Sequence, residues 1–486
     1  MRFQLIAGTA LAISSPALAQ EVAPEPTQES PIDTLVDSDA PEPTAESVKP
    51  TGDPVLDRLN ALEARVKQLE ARNSELEAQA ELNQGRLESV ETRAAKAAQF
   101  TWAPTTADPS GNFSFKPRGV IEADGFAFFE RKGGYDYNNG TAFRRARLGL
   151  EGTALKWFNY RLEVDFAGNA VTLTDAYLQY TKIPKTVLTL GQHKAPFGLE
   201  SNNSDNYNIF LERGMFTNAF GNAGAERRIG LSAAYAPQEN INVAVGLFGD
   251  NESIGRSTGA PLTSAPDESW GINGRATFEP LFDTGKILHL GLAAYYRSDL
   301  KNGDIADAVR LTERPNIRGD NGNIIDSGVI LGAKSLLYGG AEAALVLGPL
   351  TLAGEYGRLK VDRGDLPSES FDGFYLLGAY MLTGETRPFK AGNFDRVRPF
   401  RELGKDGLGA FELAARYDQL DVSNTPVLAR RRNQARSATL GLNWYFNPFA
   451  KLMFNWVHFW GDNTPLDPIG GKTAGDALAT RLHLDF

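Results

Sequence analysis

The chain has 486 residues, of which 42% are hydrophobic, 10% aromatic and 23% charged, with a formal net charge of −10. The lack of cysteine excludes disulfides and thiolate metal sites, the four histidines are too scattered for a metal cluster, and the negative balance argues against a nucleic-acid partner. Beyond residue 20 no apolar run approaches the ~18 residues of a membrane helix. A mean hydropathy of −0.31 still leaves room for membrane strands, which turn half their side chains toward a polar lumen.

Arg2, the apolar stretch Leu5–Ile13 and the small-residue site Ala17-Leu18-Ala19 predict an export signal over 1–19. Residues 20–51 are acidic and proline-rich, a composition that cannot offset its ordering entropy, and read as a linker. From Val55 the apolar spacing alternates between four and three. Leu59, Val66, Asn73, Ala80 and Leu87 occupy a positions, and Val55, Leu62, Leu69, Leu76, Asn83 and Val90 occupy d positions. This predicts an α-helical coiled coil over 52–93, with Asn73 and Asn83 fixing register; a lone amphipathic helix is the alternative. Residues 94–111 read as a connector.

Strands follow. Alternation predicts them near 113–130, 141–153, 157–166, 172–181, 186–192, 227–236, 240–248 and 269–278. It predicts eight more near 285–298, 335–347, 349–362, 371–383, 409–420, 436–446, 449–461 and 477–486. In the last, Leu478, Thr480, Leu482, Leu484 and Phe486 share one face, and Arg481, His483 and Asp485 the other. Alternate connections are tight (ALKW, IPKT, APQEN, GP, FNPF), whereas 193–226, 249–268 and 299–334 are long. Short inner turns, long outer loops and an even strand count predict an all-β fold, a 16-stranded antiparallel transmembrane β-barrel over 112–486. Aromatics near strand ends (Trp157, Phe158 and Tyr160; Trp444, Tyr445 and Phe446; Phe454, Trp456, Phe459 and Trp460) read as interfacial girdles.

An arginine facing lipid at mid-membrane costs ~2–4 kcal/mol, so parity turns Arg145, Arg147, Arg161, Arg228, Arg297 and Arg481 toward the lumen. Two readings follow. The guanidiniums form an anion track, or they pair with Glu122, Asp124, Glu151, Glu163, Asp165 and Asp175, which face inward by the same parity. One inner connection, 384–408, is long and basic, with Arg387, Lys390, Arg396, Arg398, Arg401 and Lys405; its prolines and phenylalanines favour an ordered segment in the bore. The outer segment 193–226 is a second candidate for narrowing the bore. Arg430, Arg431, Arg432 and Arg436 form a basic cluster, suited to solute or to anionic lipid. His289 and His483 share the lumen with no Ser/His/acid constellation, so no enzymatic function is expected.

Taken together, FRRARLGLEG, DAYLQY, GQHKAPFGLE with FLER, LTGETRPFK with VRPF, FELAARYDQLD and GLNWYFNPFAKLMFNWVH ending in LDF resemble the phosphate-selective porin O and P family over residues 113–486. The resemblance implies a homotrimer of outer-membrane barrels in a Gram-negative cell, with arginines and lumen lysines guiding phosphate or polyphosphate. It also implies that the inserted loops constrict the bore, with Lys194 and Lys390 the nearest candidates for constriction lysines. The heptad segment resembles the amino-terminal coiled coil of many members, which would lie in the periplasm and reach peptidoglycan. No cofactor is expected; the expected partners are outer-membrane lipid and small anionic solutes.

Overall fold

The computed structural model describes residues 53–97, 106–108, 111–132, 136–250, 267–303, 305–405, 407–423, 433–462 and 472–486. The expected signal and linker, and Arg430, Arg431 and Arg432, lie outside them. The chain divides into two units, Met1–Ala98 and Gln99–Phe486.

In the first unit, helix α1 spans Pro54–Ala97. Its heptad residues Val55, Leu59, Leu62, Val66, Leu69 and Leu76 are all exposed.

The second unit is an antiparallel barrel of sixteen strands. They are β1 Ser114–Lys132, β2 Gly140–Ala154, β3 Phe158–Asp165, β4 Thr172–Tyr180, β5 Thr186–Lys194, β6 Arg227–Gln238, β7 Ile241–Phe248 and β8 Trp270–Asp283. The second half comprises β9 Lys286–Ser298, β10 Ser335–Leu347, β11 Leu350–Arg363, β12 Leu366–Met381, β13 Ala410–Asp421, β14 Gln434–Tyr445, β15 Ala450–Asp462 and β16 Lys472–Asp485. Each strand pairs with its sequence neighbour, and β16 closes on β1 from Val120↔Asp485 to Lys132↔Ala474. The short strand Thr106–Ala107 adds a small pairing to the start of β1.

Closure leaves no strand edge unpaired, which a wall in lipid requires. The last residue completes it: the Phe486 amide donates to Gly119 O at 3.1 Å, and the Gly119 amide to Phe486 O at 3.2 Å. The Phe486 ring lies where a Cβ on residue 119 would stand, so glycine lets the ring lie against the β1 backbone and a larger residue would push it aside.

Period-two alternation sets the two faces. Leu148, Leu162, Leu231, Leu290, Leu337 and Leu482 are exposed on the outside, while Arg145, Glu163, Asn273, His289, Glu342 and Arg481 are buried on the inside. Parity also corrects the girdle expectation at two positions. Phe459 and Tyr445 face inward, Phe459 into the lumen core and Tyr445 onto Glu412 at 2.8 Å. Nearness to a turn does not choose a face; odd or even position does.

Two long segments fold into the bore. Loop L3 (195–226) carries α2 Leu199–Asn202 and α3 Met215–Gly224, and loop L5 (299–334) carries several two-residue strands. Their apolar residues, among them Phe197, Phe216, Phe220, Leu311, Ile317 and Ile324, pack onto Tyr295, Tyr338, Phe371 and Tyr375 of the wall. Among the described residues, this cluster draws wall residues from β1 and β9–β16 and none from β2–β8. The lumen is therefore split lengthwise. One half is filled by the packed loops, where apolar side chains interleave with buried ion pairs such as Arg416–Glu200 at 3.0 Å. The polar half lies under β2–β6 and takes in neighbouring inward residues of β1 and β16.

The candidate permeation site

The polar half is dominated by arginine–carboxylate pairs. Arg145 pairs with Glu122 and stands 3.3 Å from Asp205, while Arg147 is 2.9 Å from Asp165 and 3.0 Å from Asp205. Lys194 (3.7 Å) and Arg213 approach the same Asp205 carboxylate. Four cations thus converge on one acid of L3. Burial alone would raise the pKa of Asp205, but Arg145, Lys194, Arg213 and Arg147 outweigh it and hold the carboxyl well below its usual range.

A second acid of L3, Glu212, receives Arg144 at 2.7 Å, Arg481 at 3.0 Å and Arg318 of L5 at 3.3 Å. It too is pulled below the usual carboxylate range, burial opposing and Arg144 and Arg481 prevailing. Further along the wall Arg161 lies 2.6 Å from Glu151 and 3.7 Å from Asp175, and Arg227 lies 2.8 Å from Asp175.

The six wall arginines singled out by parity therefore do not share one environment. Arg297, 1% exposed, donates to Ser269 Oγ and to the carbonyls of Phe248, Gly249 and Ser269. It ties strand ends to loop backbone and reaches no solute space. Arg145 and Arg481 are enclosed by their carboxylates, Arg481 holding Asp124 at 2.6 Å and Leu211 O at 2.5 Å. Arg228 bonds Asp250 at 3.1 Å and the Asn222 carbonyl at 3.3 Å. The expectation that all six line the bore together is revised, because each of the six is paired with acids or with backbone, and only Arg147 also borders the open cavity.

The long inner turn behaves similarly. Arg387, 1% exposed, pairs with Glu412 and donates to Tyr445 Oη at 3.2 Å and Tyr207 O at 3.3 Å. Arg396 bonds Asp485 at 2.9 Å and packs 4.7 Å from the Phe449 ring. Lys194 also donates to the carbonyls of Ser201 and Asn203 at 3.1 Å. Lys390, Arg398 and Arg401 are exposed, with no ion pair among the described residues. Lys390 pairs in register with Asn393 at the tip of a hairpin. That hairpin is braced on the wall by Arg275, which donates to Gly392 O at 2.7 Å, and on L3 by the Phe394 amide, 2.9 Å from Asn203 Oδ1.

An open cavity of about 550 Å³ lies between β1–β6 and the two loops. Five arginines line it: Arg144, Arg147 and Arg227 from the wall, Arg314 and Arg318 from L5. Three acids, Asp124, Asp165 and Glu226, face them. The Arg314 guanidinium donates to the neutral Asn321 (2.8 Å) and has no ion pair among the described residues.

Of these five, sequence reasoning named only Arg147. Arg144 reaches inward because the β1–β2 register shifts, Glu122 opposing Arg145 and Ala123 opposing Phe143, so Arg144 is the extra residue of a bulge. A signal for this existed. Two adjacent arginines in a regular strand would send one into lipid, and a bulge removes that cost. Arg314 and Arg318 left no such trace, being placed by the fold of a long loop.

A closed sixteen-stranded wall, an inward-folded third loop and a water-accessible charged cavity define an outer-membrane porin, a channel and not an enzyme. A family model for "Phosphate-selective porin O and P" matches residues 115–486, and the chain belongs to that family. It is 29% identical to Porin O of Pseudomonas aeruginosa over 416 residues, 77% of this chain and 89% of that one. It is 32% identical over 402 residues to an uncharacterised protein of Caulobacter vibrioides, 81% of this chain and 78% of that one. Among solved structures, the anion-selective porin from Comamonas acidovorans shares the fold, with a TM-score of 0.50 and 13% identity over 76% of this chain and 100% of that one.

Proposed function

We propose that the protein is a passive diffusion porin that prefers small anions, with phosphate-bearing solutes as the favoured class, and that its path runs down the polar half of the lumen. The excess of five arginines over three acids around the 550 Å³ cavity carries this reading. An anion entering from outside meets Arg314 and Arg318, then Arg144, Arg227 and Arg147. Each offers forked donors suited to oxyanions. The pairing of wall arginines with Asp205 and Glu212 supplies a rigid, charged surface rather than a row of free guanidiniums. The family's description and the name of the Comamonas structure agree with an anionic solute.

The same proposal includes a homotrimer and a periplasmic α1, whose exposed heptad seam suits self-association or contact with peptidoglycan. A charge-balanced general porin is the second reading, favoured by the number of arginines already paired.

The test is a reversal potential across planar bilayers under a KCl gradient, with chloride current then challenged by millimolar phosphate. A unit charge ~10 Å from the ion path in water contributes about 0.4 kcal/mol, a factor of roughly two. That charge favours an anion and disfavours a cation by the same factor, so Arg314→Gln with Arg318→Gln is expected to lower the anion-to-cation permeability ratio roughly sixteenfold. Chloride current in the unmutated channel that ignores phosphate would leave the general porin.

A further inference from the structure

The outer surface of the wall carries a feature that permeation does not use. Arg358 and Lys360 are alternate residues of β11, so they point to the same side, and that side is the lipid-facing one shared with Leu352 and Tyr356. Both are exposed and have neither a hydrogen bond nor an ion pair among the described residues. An outward cation at mid-membrane is costly, but the cost falls close to zero at the interface. Their height matters, and the aromatic belt reports it. Tyr356 stands in register with Phe374, whose ring is 5.8 Å from Tyr417, itself 6.1 Å from Trp460. Arg358 and Lys360 lie two and four residues beyond this belt, about 7 and 13 Å along the strand toward the outer 364–365 turn. That is headgroup level in the outer leaflet.

Directly below the belt the wall is concave. An apolar groove of about 1190 Å³ crosses the outer faces of β7–β12. It is deep because Ala276, Ala341, Ala343 and Gly354 present little side chain, and it is rimmed by Tyr356 and Phe374. Cations above an aromatic rim and an apolar trough beneath form an amphipathic match for one kind of molecule.

We propose that this face is a binding site for a phosphorylated lipid of the outer leaflet. Its phosphate sits on Arg358 and Lys360 and its acyl chains lie in the groove. Gly339, opposite Arg358 on β10, leaves the approach to the guanidinium open. Asp372, opposite Arg358 on β12 and next to Asp421 of β13, offsets the Arg358 charge, while Lys360, opposite Ser370, faces no acid in register and supplies the net positive charge toward a phosphate. A bare apolar face would suit a second copy of the chain equally well; two outward cations at its rim, only one of them offset by an acid, favour the lipid.

The experiment uses the full chain purified in detergent and presented with a diphosphorylated, multiply acylated glucosamine disaccharide, or with the same lipid after phosphatase treatment. Lipid retained on the intact barrel is read by native mass spectrometry. The expected result is retention of the phosphorylated lipid, at least a fivefold loss of it in Arg358→Gln with Lys360→Gln, and little retention of the dephosphorylated form by either protein. Ala343→Trp, which fills the groove without touching the cations, is expected to reduce retention as well. Equal retention of both lipids, or of the phosphorylated lipid by wild type and the cation variant, overturns the site. So does a cation variant that loses subunit association while keeping its lipid, because the face is then a contact between copies.

Discussion

Asp205 shows how far a single residue can be read. Strand parity turns Arg145 and Arg147 toward the lumen, two residues apart, a spacing suited to holding one oxyanion between them. The structure fills that place with a carboxylate of the chain itself, brought by a loop whose course no periodicity encodes. Inward direction was legible because lipid forbids the alternative; the identity of the partner was not, because it lies about sixty residues away on irregular backbone. Glu313 of L5 is the residue whose protonation the ion path should feel. Burial pushes its pKa up to about 7 against the opposing Arg318, which it holds at 2.9 Å. As pH falls through about 7, Glu313 takes a proton and Arg318 at the cavity wall keeps only Glu212, which it shares with Arg144 and Arg481. The local balance then becomes more positive and anion preference rises. As pH rises through the same value the buried charge works against the docked loop, since a raised carboxyl pKa favours the folded loop in acid. Reversal potentials recorded from pH 5.5 to 8.5 should therefore shift toward anions on the acid side, and Glu313→Gln should flatten the shift.

At the scale of elements, the sixteen strands were the most legible part, because each alternates between lipid and lumen and is bounded by turn chemistry. The loops were half legible. The length and aromatic content of 193–226 pointed to an inserted segment, yet the core that L3 shares with L5 on one side of the bore depends on pairings between segments far apart in sequence. Helix α1 was legible as a helix, while its partner was not, since an exposed heptad seam records only that something apolar is wanted. Replacing Leu62, Leu69 and Leu76 by serine removes three seam side chains, each worth about 1.5–3 kcal/mol when buried. If the seam joins copies of the chain, the full-length variant should remain an inserted barrel but lose amino-terminal cross-links between subunits. Unchanged cross-linking would mean that the seam does not join copies.

For the whole molecule, the central claim is that one wall serves two purposes. Under β9–β16 it holds the packed core, apolar side chains and buried ion pairs together, that fixes L3 and L5, and under β2–β6 it borders the ion path. The lack of native cysteine makes this division open to a direct measurement. Single cysteines are introduced at Arg314, in the cavity, and at Phe371, fully buried in the packed half. Each channel is then exposed in a planar bilayer to a negatively charged, membrane-impermeant thiol reagent while current is recorded. The account predicts rapid modification and a stepwise fall in anion current for Arg314→Cys, and no change for Phe371→Cys. Fast modification of Phe371→Cys with loss of current, or an inert Arg314→Cys, would contradict the division of the lumen and the path assigned to it.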